Sequence, residues 1–253
     1  MISAIVCVDK NWGIGYQGNL LMSIPEDMRF FVEQTKHSVI IMGRKTYDSL
    51  PSKPLPYKTN IVVTSKINKP HEVDENGTIF VTMDFIKIFL STLSPESPVD
   101  YYVIGGGQVY EELLPYCNKV YVTEINRKFE NVDTYFPNLT NNPNWWLVKH
   151  GDAKSHIGTI YRFNTYSKVD FEITGVEKDA FEPNRDRVQL AINGINGQEN
   201  AEINIATHTY SNSRECTVYD TLYRPLYYSE NANKVIEKLK EYKTRNQEEV
   251  FEH

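Results

Sequence analysis

Short apolar runs alternate with amphipathic stretches over the first two thirds of the chain. Runs typical of buried strands lie at residues 2–8, 38–42, 60–65, 78–82, 101–104 and 118–125. Apolar residues at helical spacing follow three of these runs, at residues 24–32, at residues 84–93 and from Gln108 onward. This order predicts an α/β fold with a mostly parallel central sheet flanked by helices. Two last runs, residues 145–150 and 159–166, predict a closing antiparallel pair.

The stretch LLMSIPEDMRFF, residues 20–31, is the most informative of the helical patterns. The residues that repeat at the spacing of one inward-facing helix side are Ile24, Met28, Phe31 and Val32. Asp27 lies beside this stripe, and Arg29 faces about the other way. Burying an unpaired carboxylate is unfavourable, so we expect Asp27 to meet a partner outside the helix. Two parallel N–H groups of an amidine-like ligand suit a carboxylate in such a pocket.

The alternative for Asp27 is a solvated acid at a helix start. Ser23 and Glu26 have the spacing of a capping box, and Pro25 suits a first helical turn. Acids near a helix N-terminus are also favoured by the helix dipole. This accounts for Glu26, whereas the apolar neighbours of Asp27 favour the pocket.

Two strand-to-helix turns are candidate anion sites. Gly43 separates a buried strand from the start of a helix at Arg44, and Gly105–Gly107 separates another strand from a helix near Gln108. The unpaired N–H groups of a helix start attract phosphate, and glycine lets it approach the backbone. Two such turns on one sheet suit a dinucleotide.

A further glycine pattern, G-x-G-x-x-G, is formed by Gly13, Gly15 and Gly18. In the dinucleotide-binding fingerprint this pattern opens a helix directly, whereas here more loop follows. We therefore predict a flexible loop that lies over a site.

Charge divides the chain unevenly. Residues 1–169 hold 17 acidic and 17 basic side chains, so the net charge of −6 lies in residues 170–253. A nucleic-acid-binding protein usually presents a basic field, and neither part does. We expect no nucleic-acid partner.

Cysteine, histidine and hydropathy patterns narrow the class of protein further. The three cysteines are widely separated, without a CxxC pair, and the six histidines form no ligand pair, so neither a disulfide framework nor a metal site is expected. No apolar run approaches the ~18 residues of a membrane span, and no basic leader precedes the first strand. We expect a soluble cytoplasmic protein without membrane contact.

Seven segments resemble the dihydrofolate reductase family, in order, across residues 1–168. They are IVCVDKNWGIG, L-x-x-x-P-E-D-M-x-F-F, IIMGRKTYDSL, PLPYKTNIVVTS, VIGGGQVYEELLP, VYVTEI and DTYFP. Their joint occurrence is far more specific than any one alone. The resemblance implies NADPH-dependent reduction of 7,8-dihydrofolate to tetrahydrofolate, with hydride transfer to pterin C6 and protonation of N5.

The resemblance also implies a role for individual residues. Asp27 would take the pterin 2-amino group and N3, and Thr123 would bond to that carboxylate. The implied substrate residues are Ile5, Val6, Cys7, Asp27, Met28, Phe31, Leu50, Leu55, Lys58, Ile104 and Tyr110. The implied NADPH residues are Ile14, Gly15, Asn19, Leu20, Gly43, Arg44, Lys45, Thr46, Thr64, Ser65, Ile104, Gly105, Gly106, Gly107, Gln108, Val109 and Tyr110, with a cis bond between Gly105 and Gly106.

Two positions depart from the family pattern. The family usually has tryptophan at the position of Met22, where it helps to order a catalytic water, and methionine cannot donate a hydrogen bond. The family's arginine for the glutamate α-carboxylate aligns with Lys58, which lacks the bidentate fork. We predict weaker folate binding with the same substrate.

Residues 169–253 lie beyond the resemblance and are predicted as a small α+β module. Residues 187–192 and 201–210 alternate around two Asn-Gly pairs and predict a hairpin, residues 217–228 predict a strand, and residues 231–251 predict a helix. The inward face of this predicted helix would hold Val235, Ile236, Leu239 and Tyr242. Five tyrosines are expected to pack rather than stack on bases: Tyr210, Tyr219, Tyr223, Tyr227 and Tyr228. The module is a candidate surface for self-association or an unknown protein partner.

Two other functions remain open at this level. A pyrimidine reductase of riboflavin synthesis resembles this fold and also uses NADPH, although Asp27 and Thr123 argue against it. A catalytically silent binding or structural protein, with residues 170–253 as its working part, is the second alternative.

Overall fold

The computed structural model describes residues 1–94, 96–178, 185–193, 198–206, 216–218 and 229–251. The chain forms two compact units. One contains residues 1–138 and 150–165, and the other contains residues 139–149 and 166–253. The second unit thus includes a segment that precedes residue 150 in the chain.

The described residues form 17 strands and five α-helices. The strands are β1 (Ile2–Val8), β2 (Gly13–Tyr16), β3 (Asn19–Leu20), β4 (Val39–Gly43), β5 (Thr59–Val63), β6 (His71–Val73), β7 (Ile79–Val81), β8 (Tyr101–Gly105), β9 (Lys119–Ile125), β10 (Thr134–Tyr135), β11 (Trp145–Lys149), β12 (Lys154–His156), β13 (Thr159–Lys168), β14 (Asp170–Lys178), β15 (Arg185–Asn193), β16 (Gln198–Ala206) and β17 (Cys216–Val218). The helices are α1 (Pro25–Gln34), α2 (Arg44–Ser49), α3 (Met83–Ser91), α4 (Gly107–Leu113) and α5 (Ser229–Phe251).

The central sheet of the first unit has the strand order β13-β9-β1-β8-β4-β5-β7-β6, with β12 beside β13. Strands β9, β1, β8, β4, β5 and β7 pair in parallel, and β6 is antiparallel at the edge. Ile40, Ile41 and Met42 of β4 are completely buried. Parallel strands are covered on both faces and therefore read as continuous apolar runs. The predicted mostly parallel α/β sheet is confirmed.

The sheet brings the two glycine turns to the same place. Strands β4 and β8 are parallel neighbours, and Met42 is paired with Gly105. Both strands therefore end at one edge of the sheet, where α2 and α4 begin. This is where ligands bind in open α/β sheets.

Helix α1 differs from its prediction in two respects. Its N-cap is Ile24, without a side-chain cap bond, so Ser23 lies one residue too early for the predicted capping box. The predicted inward stripe is also only partly correct, because Met28 and Val32 are 44% and 53% exposed. Ile24 is buried and Phe31 is partly buried, as predicted, and Phe30 is partly buried although it was not in the predicted stripe.

The segment predicted as a loop over the site contains strands. β2 and β3 form a small antiparallel sheet with β10, which lies in the DTYFP segment. Asp9 organises the start of this segment, because its Oδ1 accepts hydrogen bonds of 2.8 Å from the backbone N–H groups of Asn11 and Gly13. The N–H of Gln17 donates to Asp133 Oδ2 at 2.8 Å.

The second unit contains a four-stranded antiparallel sheet, β14-β15-β16-β17, and helix α5. The predicted hairpin is confirmed as β15 and β16, with Asn193 opposite Gln198, although the turn between them lies outside the described residues. Strand β14 was not predicted. Of the strand predicted at residues 217–228, only residues 217–218 are described, as part of β17, and the five tyrosines of the tail lie outside the described residues.

The core of the second unit combines β11 with the C-terminal residues. It consists of Trp146, Val169, Phe171, Val188, Leu190, Ile192, Val235, Ile236 and Leu239. The predicted apolar face of α5 is confirmed for three of its residues, and Tyr242 is partly buried. Asn231 of α5 donates to Leu147 O at 2.7 Å and accepts from Leu147 N at 3.0 Å, as a neighbouring strand would.

The described residues contain neither a membrane-spanning helix nor a group of metal ligands. None of the helices within the ranges given above is long and apolar enough to cross a membrane. Over the same ranges, no three or more His, Cys, Asp and Glu side chains are grouped as metal ligands.

Candidate active site

Asp27 of α1 faces Thr123 of β9. Thr123 Oγ1 donates a hydrogen bond of 2.6 Å to Asp27 Oδ1. Burial raises the pKa of Asp27, and the hydrogen bond from Thr123 opposes that rise in part. In the described part of the chain, no lysine or arginine forms an ion pair with Asp27. The carboxylate is thus held on one oxygen and keeps capacity to accept N–H groups on the other.

Strand β1 forms the wall next to this carboxylate. Cys7 is the register partner of Thr123, and Ile5 is the partner of Tyr121. Burial, together with the charge of Asp27, raises the pKa of the Cys7 thiol, so Cys7 stays protonated at neutral pH. The hydroxyl of Tyr110 donates to the backbone oxygen of Ile5 at 2.7 Å.

Five of the eleven predicted substrate residues are brought together in one cluster. Phe31, Leu50, Leu55 and Ile104 are partly buried side chains that pack against a core containing Ile5, Met42 and Tyr47. Met22 and Cys7 pack against a second core, made of Ile24, Ile125 and Tyr161. Val6 is buried in β1, and Met28 is exposed on α1.

Lys58 lies in a loop whose backbone is held by the side chain of Asn60. Asn60 is buried, and its Nδ2 donates to the backbone oxygens of Leu55 and Lys58 at 2.9 and 3.0 Å. Its Oδ1 accepts from Leu55 N at 3.0 Å. Asn60, a buried asparagine at the start of β5, thus fixes the loop that carries Lys58, and its role was not predicted from the sequence. Partial burial lowers the pKa of Lys58 from its ordinary value.

The two glycine turns lie against one another. A Cβ placed on Gly43 would lie 3.7 Å from Gly106 N and 3.1 Å from Val109 Cγ2. One on Gly107 would lie 2.9 Å from Thr134 Cγ2, and one on Gly106 would lie 3.4 Å from Thr46 Oγ1. Side chains at these turns would therefore fill the space between the two helix starts. The expected cis bond joins Gly105 and Gly106.

The helices at these turns lack side-chain caps. Neither α2 nor α4 has a side-chain bond at its N-cap, whereas α3 is capped by Thr82, whose Oγ1 accepts from Phe85 N. The N–H groups at the starts of α2 and α4 are thus available to donate hydrogen bonds to a phosphate between them. The glycine cradle and these donors fit the pyrophosphate of a dinucleotide.

Arg44 begins α2 with its guanidinium held in place. Its Nε donates to Asp48 Oδ1 and Oδ2 at 3.0 and 3.2 Å, and its guanidinium lies 5.2 Å from the ring centre of Phe80. Thr64 is buried at the end of β5, and its Oγ1 accepts from Lys66 N at 3.1 Å. Lys45, Ser65 and Gln108 are exposed, and Val109 is buried.

The remaining predicted cofactor residues lie in the small β2–β3–β10 sheet. Ile14 and Gly15 belong to β2 and are buried, whereas Asn19 and Leu20 belong to β3 and are exposed. An open cavity of about 540 Å³ lies between residues 16–21 and 127–131. It contains Asn19 and Leu20 but neither Asp27 nor the glycine turns.

Comparison with known proteins agrees with this geometry. Dihydrofolate reductase of Buchnera aphidicola subsp. Acyrthosiphon pisum is 35% identical over 169 residues, which cover 66% of this chain and 99% of the relative. The Bacillus subtilis enzyme is 37% identical over 178 residues, 70% of this chain and 95% of the relative. The structure of dihydrofolate reductase from Enterococcus faecalis, complexed with NADP(H) and RAB-propyl, has 28% identity and a TM-score of 0.56 and covers 66% of this chain and 96% of that one.

The family model described as dihydrofolate reductase matches residues 1–168, which is more than half of the chain. This range contains Asp27, Thr123 and both glycine turns. The chain belongs to the dihydrofolate reductase family.

Proposed function

We propose that Asp27 fixes the pterin ring in the reaction of this family, the NADPH-dependent reduction of 7,8-dihydrofolate to 5,6,7,8-tetrahydrofolate. The observation that carries the assignment is the partly buried Asp27 carboxylate, which bonds to Thr123 and has no cationic partner among the described residues. The pterin 2-amino group and N3 provide two parallel N–H groups of the kind that such a carboxylate accepts.

The chain's own residues then bind and orient the substrate. Bound NADPH supplies the hydride for pterin C6. Asp27 holds the ring at one end, while Thr123 keeps the carboxylate in its rotamer by occupying Oδ1. The side chains Ile5, Phe31, Leu50, Leu55 and Ile104 enclose the apolar part of the substrate. Water delivers the proton to N5, and Asp27 contributes by polarising and orienting the ring.

The cofactor site is assigned to the edge of the sheet where α2 and α4 begin. Gly105, Gly106 and Gly107 would receive the pyrophosphate, with Gly43, Lys45 and Thr46 beside it. Arg44, Thr64 and Ser65 would hold the adenosine 2′-phosphate. The proximity of the two turns and the absence of side-chain caps on α2 and α4 support this assignment. Ile14, Gly15, Asn19 and Leu20 would cover the nicotinamide end.

The two departures from the family affect affinity in this proposal. Lys58 would meet the α-carboxylate of the substrate glutamate with a single ammonium, which lacks the planar fork of arginine. Met22 lies beside Cys7 in an apolar cluster and cannot donate a hydrogen bond to a water. Folate binding would therefore be weaker than in relatives with arginine and tryptophan at these positions.

Residues 170–253 are proposed to serve association with a second copy or another protein. In this proposal residues 1–168 form the catalytic domain and residues 169–253 form the accessory module. Strand β14 is the end strand of its sheet, and an end strand offers backbone groups that another chain can pair with. Self-association is tested by measuring the molar mass of the full chain by light scattering after size-exclusion chromatography. A mass of one chain at all concentrations would contradict it.

The test of the activity is NADPH oxidation by the full chain with dihydrofolate. We expect turnover with dihydrofolate and none with the pyrimidine substrate of riboflavin synthesis. The reverse preference would favour the pyrimidine reductase. NADPH binding without turnover of either substrate would favour the catalytically silent protein.

A further inference from the structure

Glu26, the residue before Asp27, is held by two side chains from another part of the sheet. The hydroxyl of Tyr161, on β13, donates to Glu26 Oε2 at 2.6 Å. The ammonium of Lys154, on β12, forms an ion pair with Glu26 Oε1. Both contacts lower the pKa of Glu26, so Glu26 is ionised at neutral pH.

Tyr161 is a rigid partner for this carboxylate. It is only 2% exposed and belongs to a core cluster with Ile24 and Ile125. Its ring stands edge-on to Phe163 at 5.6 Å. Burial and the bond to Glu26 raise the pKa of Tyr161 to about 12, so its hydroxyl keeps its proton and remains a donor.

The position of the helix start depends on these contacts because α1 lacks an ordinary cap. Its N-cap residue, Ile24, makes no side-chain cap bond. The first turn is instead tied to two adjacent strands by consecutive carboxylates. Asp27 bonds to Thr123 of β9, and Glu26 bonds to Tyr161 of β13, the neighbour of β9 in the sheet.

We propose that Tyr161, supported by Lys154, is a positioning residue for the pterin site that acts through Glu26 on Asp27. The Tyr161 hydroxyl determines where the first turn of α1 lies, and the backbone of that turn determines where the Asp27 carboxylate meets the substrate. The inference rests on the proposed role of Asp27. Tyr161 lies 134 positions after Asp27 in the chain. In the described contacts it touches neither Asp27 nor Thr123, so it acts through Glu26.

Binding of dihydrofolate and binding of NADPH should respond differently to loss of the Tyr161 hydroxyl. The Glu26 contacts lie at the start of α1, whereas the glycine turns of the cofactor site lie at the starts of α2 and α4. Loss of the Tyr161 hydroxyl should thus reduce productive binding of dihydrofolate and leave NADPH binding unchanged. A general loss of stability would affect both ligands through the fraction of folded protein.

The experiment uses full-length Tyr161→Phe, Glu26→Ala, Glu26→Gln and the double variant Glu26→Ala/Tyr161→Phe. Each is assayed for kcat and KM with dihydrofolate, for NADPH Kd and for melting temperature. We expect Tyr161→Phe and Glu26→Ala each to lower kcat/KM for dihydrofolate about tenfold, since small misplacements of a binding group are costly. We expect the double variant to lose no more than Glu26→Ala alone, because Glu26→Ala already removes the contact with Tyr161 together with the ion pair to Lys154.

Two variants serve as matched controls. Glu26→Gln retains an oxygen that can accept from Tyr161 and should keep kcat/KM within about threefold of the parent. Tyr102→Phe removes the hydroxyl that accepts from Gln34 Nε2 at 3.0 Å, at the other end of the same helix. It should leave KM for dihydrofolate unchanged.

Three results would overturn the inference. These are an unchanged kcat/KM in Tyr161→Phe, additive losses in the double variant, and equal losses of dihydrofolate and NADPH affinity. Failure of the proposed function is separate from all of these, because it would appear in the parent chain as absent turnover or in Asp27→Asn as unchanged turnover.

Discussion

Thr123 donates a hydrogen bond of 2.6 Å to Asp27 from a position 96 residues later in the chain. The bond joins the first turn of α1 to β9, and the register of β9 with β1 places Cys7 beside it. A carboxylate in this position is costly to ionise, since burial outweighs the single hydrogen bond and raises its pKa. The fold tolerates this cost at the place where the substrate would bring compensating N–H groups.

The role of Asp27 predicts a selective loss of activity on substitution. In Asp27→Asn the amide can accept only on one atom and carries no charge, so it cannot polarise the pterin. We expect turnover of dihydrofolate at neutral pH to fall by about 10²-fold or more. NADPH Kd, measured by fluorescence titration, should change little. Asp100→Asn, at an exposed carboxylate that pairs with the chain's N-terminus, is the control. Equal losses of turnover and NADPH affinity would exclude Asp27 from the pterin site.

The raised pKa of Asp27 also predicts the pH dependence of stability. Over the pH range where Asp27 titrates, the folded chain binds more protons than the unfolded chain, so the free energy of unfolding decreases as pH rises. Asp27→Asn has no carboxyl group at this position, so its free energy of unfolding lacks this decrease. We expect the variant to melt at a higher temperature than the parent at neutral pH, by about 2–4 °C for each kcal/mol gained. The difference should disappear in acid, below the unfolded pKa, and a variant that is less stable at neutral pH would contradict the prediction.

Arg44 is expected to distinguish NADPH from NADH. Asp48 and the Phe80 ring hold its guanidinium beside the start of α2, so little side-chain freedom remains to be lost on binding. Arg44→Ala should weaken NADPH binding about 10-fold to 100-fold, because a charged contact to phosphate is lost. It should change the affinity for NADH by less than about threefold. Lys69→Ala, at an exposed lysine outside the proposed site, is the control. Equal losses for the two cofactors would remove Arg44 from the 2′-phosphate site.

Lys234 predicts stability that increases at alkaline pH. Its ammonium is buried in the second unit and donates to the backbone oxygens of Trp145 and Leu139. Burial lowers its pKa from 10.5 to about 8. Between these pH values the unfolded chain holds a proton that the folded chain has released, so the free energy of unfolding increases with pH. Relative to Lys234→Met, the free energy of unfolding of the parent should increase by at most about 3 kcal/mol across this pH window.

Urea unfolding at several pH values measures this difference. Lys240→Met, at an exposed lysine on the same helix, should show the same pH dependence as the parent. A constant difference between the parent and Lys234→Met across the window would contradict the assigned shift.

The core of the second unit predicts the effect of removing the C-terminal residues. Trp146 is fully buried there among Val188, Leu190 and Val235. A chain that ends at Lys168 would expose this tryptophan, and loss of such packing costs about 3–5 kcal/mol. We expect a lower melting temperature and increased binding of an apolar fluorescent dye, whereas a chain that ends at Phe251 should resemble the parent. Identical dye binding by the two shortened chains would contradict the prediction.

Local pattern was sufficient for most elements of the first unit. Strands β1, β4, β5, β8 and β9 were predicted because strands covered on both faces read as apolar runs. The glycine turns were predicted because glycine at a strand end and a helix start are adjacent in the chain. The second unit was less predictable, and β14 was missed, since a bulge between Ile173 and Gly175 interrupts the alternation that begins with the buried Phe171.

The predicted capping box shows why local pattern was not sufficient at the site. Ser23 and Glu26 have the required spacing, but Glu26 instead meets Tyr161 and Lys154, and the helix begins at Ile24 as N-cap. These competing partners lie more than 120 residues away, so no sequence window contains them. The same holds for β11, which belongs to the second unit although it precedes residue 150.

The order of strands and helices in the first unit, the family, and the choice of Asp27 and the glycine turns as the chemically informative residues could all be predicted from the amino-acid sequence. This is because periodicity, turn chemistry and motif order are properties of neighbouring residues. Only the tertiary structure decided that Thr123 holds one oxygen of Asp27, that Tyr161 holds Glu26, and that Asn60 shapes the loop of Lys58. The first two contacts join residues 96 and 135 positions apart, which only the folded chain brings together. Asn60 lies within five residues of its partners, but its burial is a property of the fold.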